Sequence, residues 1–290
     1  MDSSYIFDRT KPEYSFYRPF IMGTNGGISS NNYYATKAGL EILAKGGNAA
    51  DAAVAVSLVL GVTEPYHSGI GGGCFTLYYD NKTKDFLSLD ARGAAPIKAF
   101  RDMYLDENGN VDSTWEWFDG KAVAAPQLYR ALEKLNKEYG TMSFEELSQP
   151  AIKLAREGFT ANFLYAYAMV RPTCDHAAKH SEYFKKTYMK NGEKYKFGDK
   201  ITNPDLADTM EKVATKGIDW FYNGEVADMM LNAYRLVMAF LSRKILKSVL
   251  PRSDLLFAVT SLDMILFRCL PPALAALISY RCSTFLRISI

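Results

Sequence analysis

Residues 50–61 read ADAAVAVSLVLG. A helix of that composition is apolar on almost every side, so other elements must cover it nearly all round. Its many alanines let neighbouring backbones approach closely. Asn48 stands where it can cap this helix, and Asp51 falls in the first turn, where the helix dipole favours a negative charge. The preceding stretch, YYATKAGLEILA at 33–44, predicts a helix with Ala38, Ile42 and Leu43 on one face. Gly46 and Gly47 supply its left-handed stop.

The covering elements follow in order. CFTLYYD and FLSLDAR have period-2 character and flank Asn81-Lys82-Thr83-Lys84, which predicts a β-hairpin. QLYRALEKLNKE at 127–138 is an amphipathic helix ending at Gly140. In SFEELSQPAIKLARE at 143–157, Ser143 and Glu146 form a capping-box pattern. Pro150 is expected to split that stretch into two short helices. The Lys- and Tyr-rich segment 185–200 is expected to form a surface hairpin. PDLADTMEKVATK at 204–216 opens with proline and predicts a helix. Helices flanking a few strands point to a layered α+β fold.

The chain has 290 residues, 48% of them hydrophobic and 23% charged. That is a globular profile with length for a sizeable core, and it excludes disordered, collagen-like and coiled-coil chains. A net charge of +2 gives no global pull toward nucleic acid or anionic membrane. The average conceals a break. All 20 glycines lie between Gly23 and Gly224, and residues 233–290 carry a net +6 against −4 for the first 232. The apolar part of that tail is interrupted by Asp263, Arg268 and Pro271-Pro272. Its longest charge-free run, 269–280, is shorter than the roughly 18 residues of a membrane span, so no transmembrane span is expected. Cys74, Cys174, Cys269 and Cys282 form no C-x-x-C pair and read as free thiols. The N-terminal stretch lacks a signal-peptide apolar run, so the chain as given is expected in the cytoplasm. Without a secretion signal, Asn81-Lys82-Thr83 is discounted as a glycosylation acceptor.

Four features invite a chemical reading. The loop Gly69-Ile70-Gly71-Gly72-Gly73 begins a G-x-G pattern, but Cys74 holds the place of the third glycine, so the dinucleotide fingerprint fails. It reads either as a turn needing positive φ or as tight packing against the buried helix. Arg92 ends a predicted strand two residues after Asp90. Its guanidinium is suited to gripping a carboxylate in a bidentate fork, or to a structural ion pair with Asp90 or another acid. His67 and Ser68 are adjacent and do not face each other, so they make no catalytic pair. Cys174, His176 and His180 give C-x-H-x-x-x-H, which lacks a fourth ligand for zinc.

Longer motifs decide more. GLEILAKGGNAADAAVAVSLVLGVTEPYHSGIGGGCFTLYYD, LDARGAAP, YGTMSFEELSQPAIKLAREGF and GDKITNPDLADTMEKVATKGIDWFYNGEVAD together resemble the large-subunit region of the γ-glutamyltranspeptidases, over about residues 20–232. The resemblance implies an N-terminal nucleophile hydrolase αββα sandwich, of which this chain holds the large-subunit part only. It implies a precursor that cleaves itself at an internal threonine, whose freed α-amino group then serves as base. It implies cleavage of γ-glutamyl amides such as glutathione through a γ-glutamyl-enzyme, with transfer to water or an amino acceptor. No cofactor or metal is implied. Arg92 matches the arginine that grips the α-carboxylate of the γ-glutamyl group, and Gly69–Gly73 become scaffold elements.

The sequence also departs from the family. His67, His176 and His180 are its three histidines, and none follows a threonine by two positions as the family's nucleophile segment requires. The expected GG-x-[LI]-T turn and Tyr-Arg-Gly strand do not appear in residues 233–290. The domain reading is therefore an N-terminal extension at 1–19, the family region at 20–232, and an atypical basic, leucine-rich tail at 233–290. A reading-frame shift near residue 232 would give the tail this character. Two functional expectations follow. Either the chain is a truncated family member, inactive alone, or it is a non-catalytic large-subunit-like partner completing a site in trans with a separate small subunit.

Overall fold

The computed structural model describes residues 25–96, 98–111, 122–236 and 287–289, with side chains as far as 232. Most of the tail at 233–290 and the extension at 1–19 lie outside the described residues, as do Cys269 and Cys282. Among the described residues no helix is long and apolar enough to cross a membrane.

The central element is α2, Ala49–Thr63, with twelve buried residues from Ala50 to Thr63. Helix α1, Tyr33–Ala44, lies against it through Ala35, Ala38, Gly39 and Ile42. Gly39 meets Val56 so closely that a methyl group there would collide with it, the close backbone approach expected of an alanine-rich helix. The expected stop between the helices is present, with Gly46 at φ +91°.

Helices α4, Leu128–Tyr139, and α5, Phe144–Glu157, cover other sides of α2. Helix α3 is the single turn Pro65–Ser68. Strands β2, Cys74–Asp80, and β3, Asp85–Ala91, form the predicted hairpin in antiparallel register from Cys74↔Ala91 to Asp80↔Asp85. A short strand β1, Gly27–Ser29, pairs antiparallel with β8, Arg287–Ser289. Beyond α5, the strand β4, Phe159–Thr160, leads into α6, Phe163–Met169; α7, Pro172–His180; and α8, Glu182–Tyr188. Strands β5, Met189–Lys190, and β6, Glu193–Lys194, form a small hairpin, and β7, Lys200–Ile201, pairs with β4. Helices α9, Pro204–Lys216; α10, Ile218–Asn223; and α11, Glu225–Leu236, complete the order.

One carboxylate ties the central helix to its cover. Asp51 is 0% exposed. It accepts from the backbone N–H of Asn48 at 2.9 Å, from Thr141 N–H at 2.9 Å, from the Thr141 hydroxyl at 2.7 Å and from Met142 N–H at 3.2 Å. Asn48 caps Ala50 and Asp51 while donating its amide to the carbonyl of Tyr139 at 2.6 Å. The α4–α5 turn is thus fastened to the start of α2. Gly140 permits it, since a Cβ there would sit 2.6 Å from Asn136 O and 2.8 Å from Asp51 Oδ1.

Two local expectations are corrected. Pro150 does not split its segment, because α5 runs unbroken through it. The helix presents Leu147, Ala151, Ile152 and Ala155 to the core, and packing against α2 and α9 holds it together. The side chains of Ser148 and Gln149 also donate to the carbonyls of Phe144 and Glu145, at 2.6 and 3.2 Å, beside the site where proline removes a donor. The surface hairpin is confined to 189–194. Residues 185–188 belong to α8, and Asn191-Gly192, both at positive φ, make a two-residue turn of the kind that matches strand twist.

Asp51→Ala should leave buried donors without an acceptor, at a cost of about 3–5 kcal/mol in urea unfolding. Lys153→Ala, on an exposed pair, should change stability by no more than about 0.5 kcal/mol.

Candidate functional site

The C-terminal end of β3 brings the glycine loop and Arg92 together. Gly73 lies against the last residue of β3, where a Cβ would overlap the carbonyl oxygen of Ala91. None of the glycines in Gly69–Gly73 has positive φ. Of the two readings of this loop, close packing is the one realised, and against the strand end. Gly72 contributes a second tie. Its carbonyl accepts from Gln127 N–H at 2.9 Å and Leu128 N–H at 3.0 Å, satisfying donors at the start of α4. The loop is scaffold, fixing strand, loop and helix around one point.

Arg92 is exposed at that point. The expected contact with Asp90 exists in another form. The Asp90 carboxylate accepts from the backbone N–H of Arg92 at 2.9 Å, an Asx-type turn that bends the chain as the strand ends. The guanidinium itself makes no ion pair or hydrogen bond among the described residues. Among the described residues the structural ion pair is therefore absent, which leaves the guanidinium fork to a ligand or solvent.

The hairpin beside it has two unlike faces. Cys74, Leu89 and Ala91 pack on Ala131 of α4, and the ring of Tyr78 lies 4.6 Å from that of Tyr139. The opposite face carries Phe75, Leu77, Tyr79 and Phe86 at 60%, 57%, 46% and 59% exposure. By register, Phe75 stands opposite Asp90, Leu77 opposite Ser88 and Tyr79 opposite Phe86. A contiguous apolar strip thus leads to the turn that presents Arg92. Strips of this kind mark contact surfaces.

The other sequence candidates are not brought to this point. Cys174 donates its thiol to the carbonyl of Ala168 at 3.3 Å, while His176 and His180 stack on α7 with ring centroids 4.4 Å apart. Among the described residues no three ligating side chains converge on a metal position. His67 lies 3.5 Å from Arg171, Nε2 to Nη1. A guanidinium only donates, so in this contact Nε2 is the acceptor. Burial and the charge of Arg171 both push the His67 pKa down. Burial raises the Cys74 thiol pKa, against the hydrogen bond with Thr76 and with the charge of Asp90 adding to it, which disfavours the thiolate.

Sequence reasoning missed Glu64, which ends α2. It is buried, with Oε1 lacking a partner, and desolvation raises its pKa despite a hydrogen bond with Asn32. Nothing in Thr63-Glu64-Pro65 distinguishes it from a surface acid.

Comparison with known proteins defines the class. A solved structure of Helicobacter pylori γ-glutamyltranspeptidase superposes with a TM-score of 0.79 at 29% identity, over 89% of this chain and 73% of that one. The fold is that of the N-terminal nucleophile hydrolases. The family model for γ-glutamyltranspeptidase matches residues 35–239, and the chain belongs to that family. It is 40% identical over 216 residues to a glutathione hydrolase proenzyme of Bacillus subtilis, and 37% identical over 210 residues to that of Escherichia coli. These alignments span 74% and 72% of this chain but 36% of each relative, so the chain spans about a third of the relatives' length.

Gly73→Ala should force the end of β3 to move, with shifted backbone amide NMR signals for residues 90–93 and lower stability. Glu64→Gln should stabilise the chain at neutral pH. Because the folded-state pKa of Glu64 is raised, its contribution is full below the ordinary carboxylate range and falls as pH rises through the raised value. The advantage of the glutamine variant should therefore shrink toward acid pH in parallel melts.

Proposed function

We propose that this chain supplies the γ-glutamyl-binding half of an enzyme that cleaves γ-glutamyl amides, with glutathione as the model substrate. Arg92 is the residue assigned to substrate, gripping the α-carboxylate of the γ-glutamyl group through a bidentate pair. The observation that carries this is an exposed arginine with no ion pair among the described residues, presented by an Asx turn at a strand end in a chain of this family. Glutathione hydrolase is the name of the curated relatives. No metal enters the reading, because an amide carbonyl attacked by a threonine hydroxyl needs a base and oxyanion donors.

The nucleophile is assigned to a threonine-led segment outside these 290 residues. The reaction would form a γ-glutamyl ester on that threonine and release the amine, and water or an acceptor amine would then break the ester. The 290-residue chain alone is proposed to be inactive. A second reading is favoured by the uncovered strip of Phe75, Leu77, Tyr79 and Phe86. In it the chain is a large-subunit-like partner, and a separately made small subunit covers the strip and completes the site. The word proenzyme in the relatives' names fits either arrangement.

The purified chain should release no glutamate from a γ-glutamyl anilide, and measurable release would overturn the assignment of the nucleophile. In equilibrium binding of a γ-glutamyl amide, Arg92→Gln should weaken affinity at least roughly tenfold, the scale of one lost charge-assisted contact. An unchanged affinity would remove Arg92 from the site. Co-purification with a threonine-led polypeptide, lost when Leu77 and Phe86 are both made serine, would support the second reading.

A further inference from the structure

We propose that the cleft between α3, α6, α7 and α8 binds a small organic carboxylate with a compact apolar or aromatic body, held by Arg171. The cleft has a volume of about 280 Å³ and is walled by Pro65, Tyr66, Met169, Phe184 and Tyr188, with Arg171 and Thr173 at its polar side. It shares no lining residue with the end of β3. The volume sits just below the roughly 300 Å³ at which small-ligand pockets begin, so the occupant is small.

The wall chemistry selects the ligand. Arg171 has no acidic partner among the described residues. Its Nη1 lies 3.5 Å from the Nε2 of His67, and its guanidinium carbon lies 5.8 Å from the ring centroid of Tyr167. No aspartate or glutamate lines the cleft. Glu64, whose charge acts on Tyr66, is not part of the cleft lining, and burial raises its pKa. Asp175, in the first turn of α7, is taken up by Lys194 at 2.5 Å. Among the described residues no acid pairs with Arg171, whose positive charge thus lies beside an apolar wall. An anion with an apolar body satisfies both halves, whereas an ammonium would meet an unshielded guanidinium. A planar carboxylate matches the guanidinium fork. Tyr66, which lines the cleft, has a buried hydroxyl that finds no hydrogen-bond partner among the described residues, an orphaned donor of the kind that calls for a ligand or water.

The test uses the full 290-residue chain and saturation-transfer NMR with 3-phenylpropionate, 3-phenylpropylamine and inorganic phosphate as probes. The carboxylate should bind, the amine should not, and phosphate should compete weakly because it lacks the apolar body. Arg171→Gln should weaken the carboxylate roughly tenfold, as expected for loss of one charge-assisted pair. Thr173→Phe, which fills the cleft from its exposed rim, should weaken it without touching the charge. Arg92→Gln should leave it unchanged, so failure of the γ-glutamyl assignment and failure of this one are separable. Equal binding of the amine, no carboxylate signal, or wild-type affinity in both Arg171→Gln and Thr173→Phe would overturn the proposal. Loss of binding in Arg92→Gln alone would assign the carboxylate to the end of β3 and overturn it as well.

Discussion

The fold depends on a buried carboxylate. Asp51 has no water to solvate it, so its charge is held by donors from three directions: the start of its own helix, the Thr141 backbone and hydroxyl, and the Met142 backbone. An unpaired buried carboxylate would be expelled or neutralised. Here it becomes a directional tie between the most apolar helix and the α4–α5 turn. Hydrophobic burial makes α2 central but does not say which way round its neighbours sit. The Asp51 and Asn48 bonds, at fixed lengths and angles, set that orientation.

From that tie the rest follows by contact. With α4 positioned, its first turn takes the Gly72 carbonyl and its Ala131 seats the hairpin. Arg130 then clamps α4 to α10, with Glu133 and Asp219 on the guanidinium and the ring of Tyr222 beneath it. The end of β3, and so Arg92, is located by this chain of contacts starting at Asp51. The hairpin is covered on one side only. An uncovered strip of four large apolar side chains is costly in water, and it fits a chain that spans about a third of its relatives' length.

Much of this was readable in advance where one residue dictates one local outcome. Asn48 as cap, the helix at 204–216 and the turn at 81–84 all follow from side-chain geometry acting within a few residues. Pro150 was misread because a local rule met a larger tertiary term, helix burial on two sides. The glycine loop was half legible, because sequence reveals the absence of a side chain but not which atom needs the space. The Asp90–Arg92 spacing was legible as a pair, yet the backbone rather than the guanidinium turned out to be the donor. The cleft at Arg171 left no signal, since its walls come from segments over a hundred residues apart in the chain.

The sequence by itself determined the family and the central helix. Those rest on long ordered motifs and on short-range chemistry that survives any packing. Only the tertiary structure decided which partner each polar group takes. It gave Asp51 to Thr141 and the Asp90 carboxylate to a backbone N–H, and among the described residues it left the Arg92 guanidinium without an acidic partner. Such choices depend on distances of a few ångströms between segments remote in sequence, and no local pattern encodes those distances.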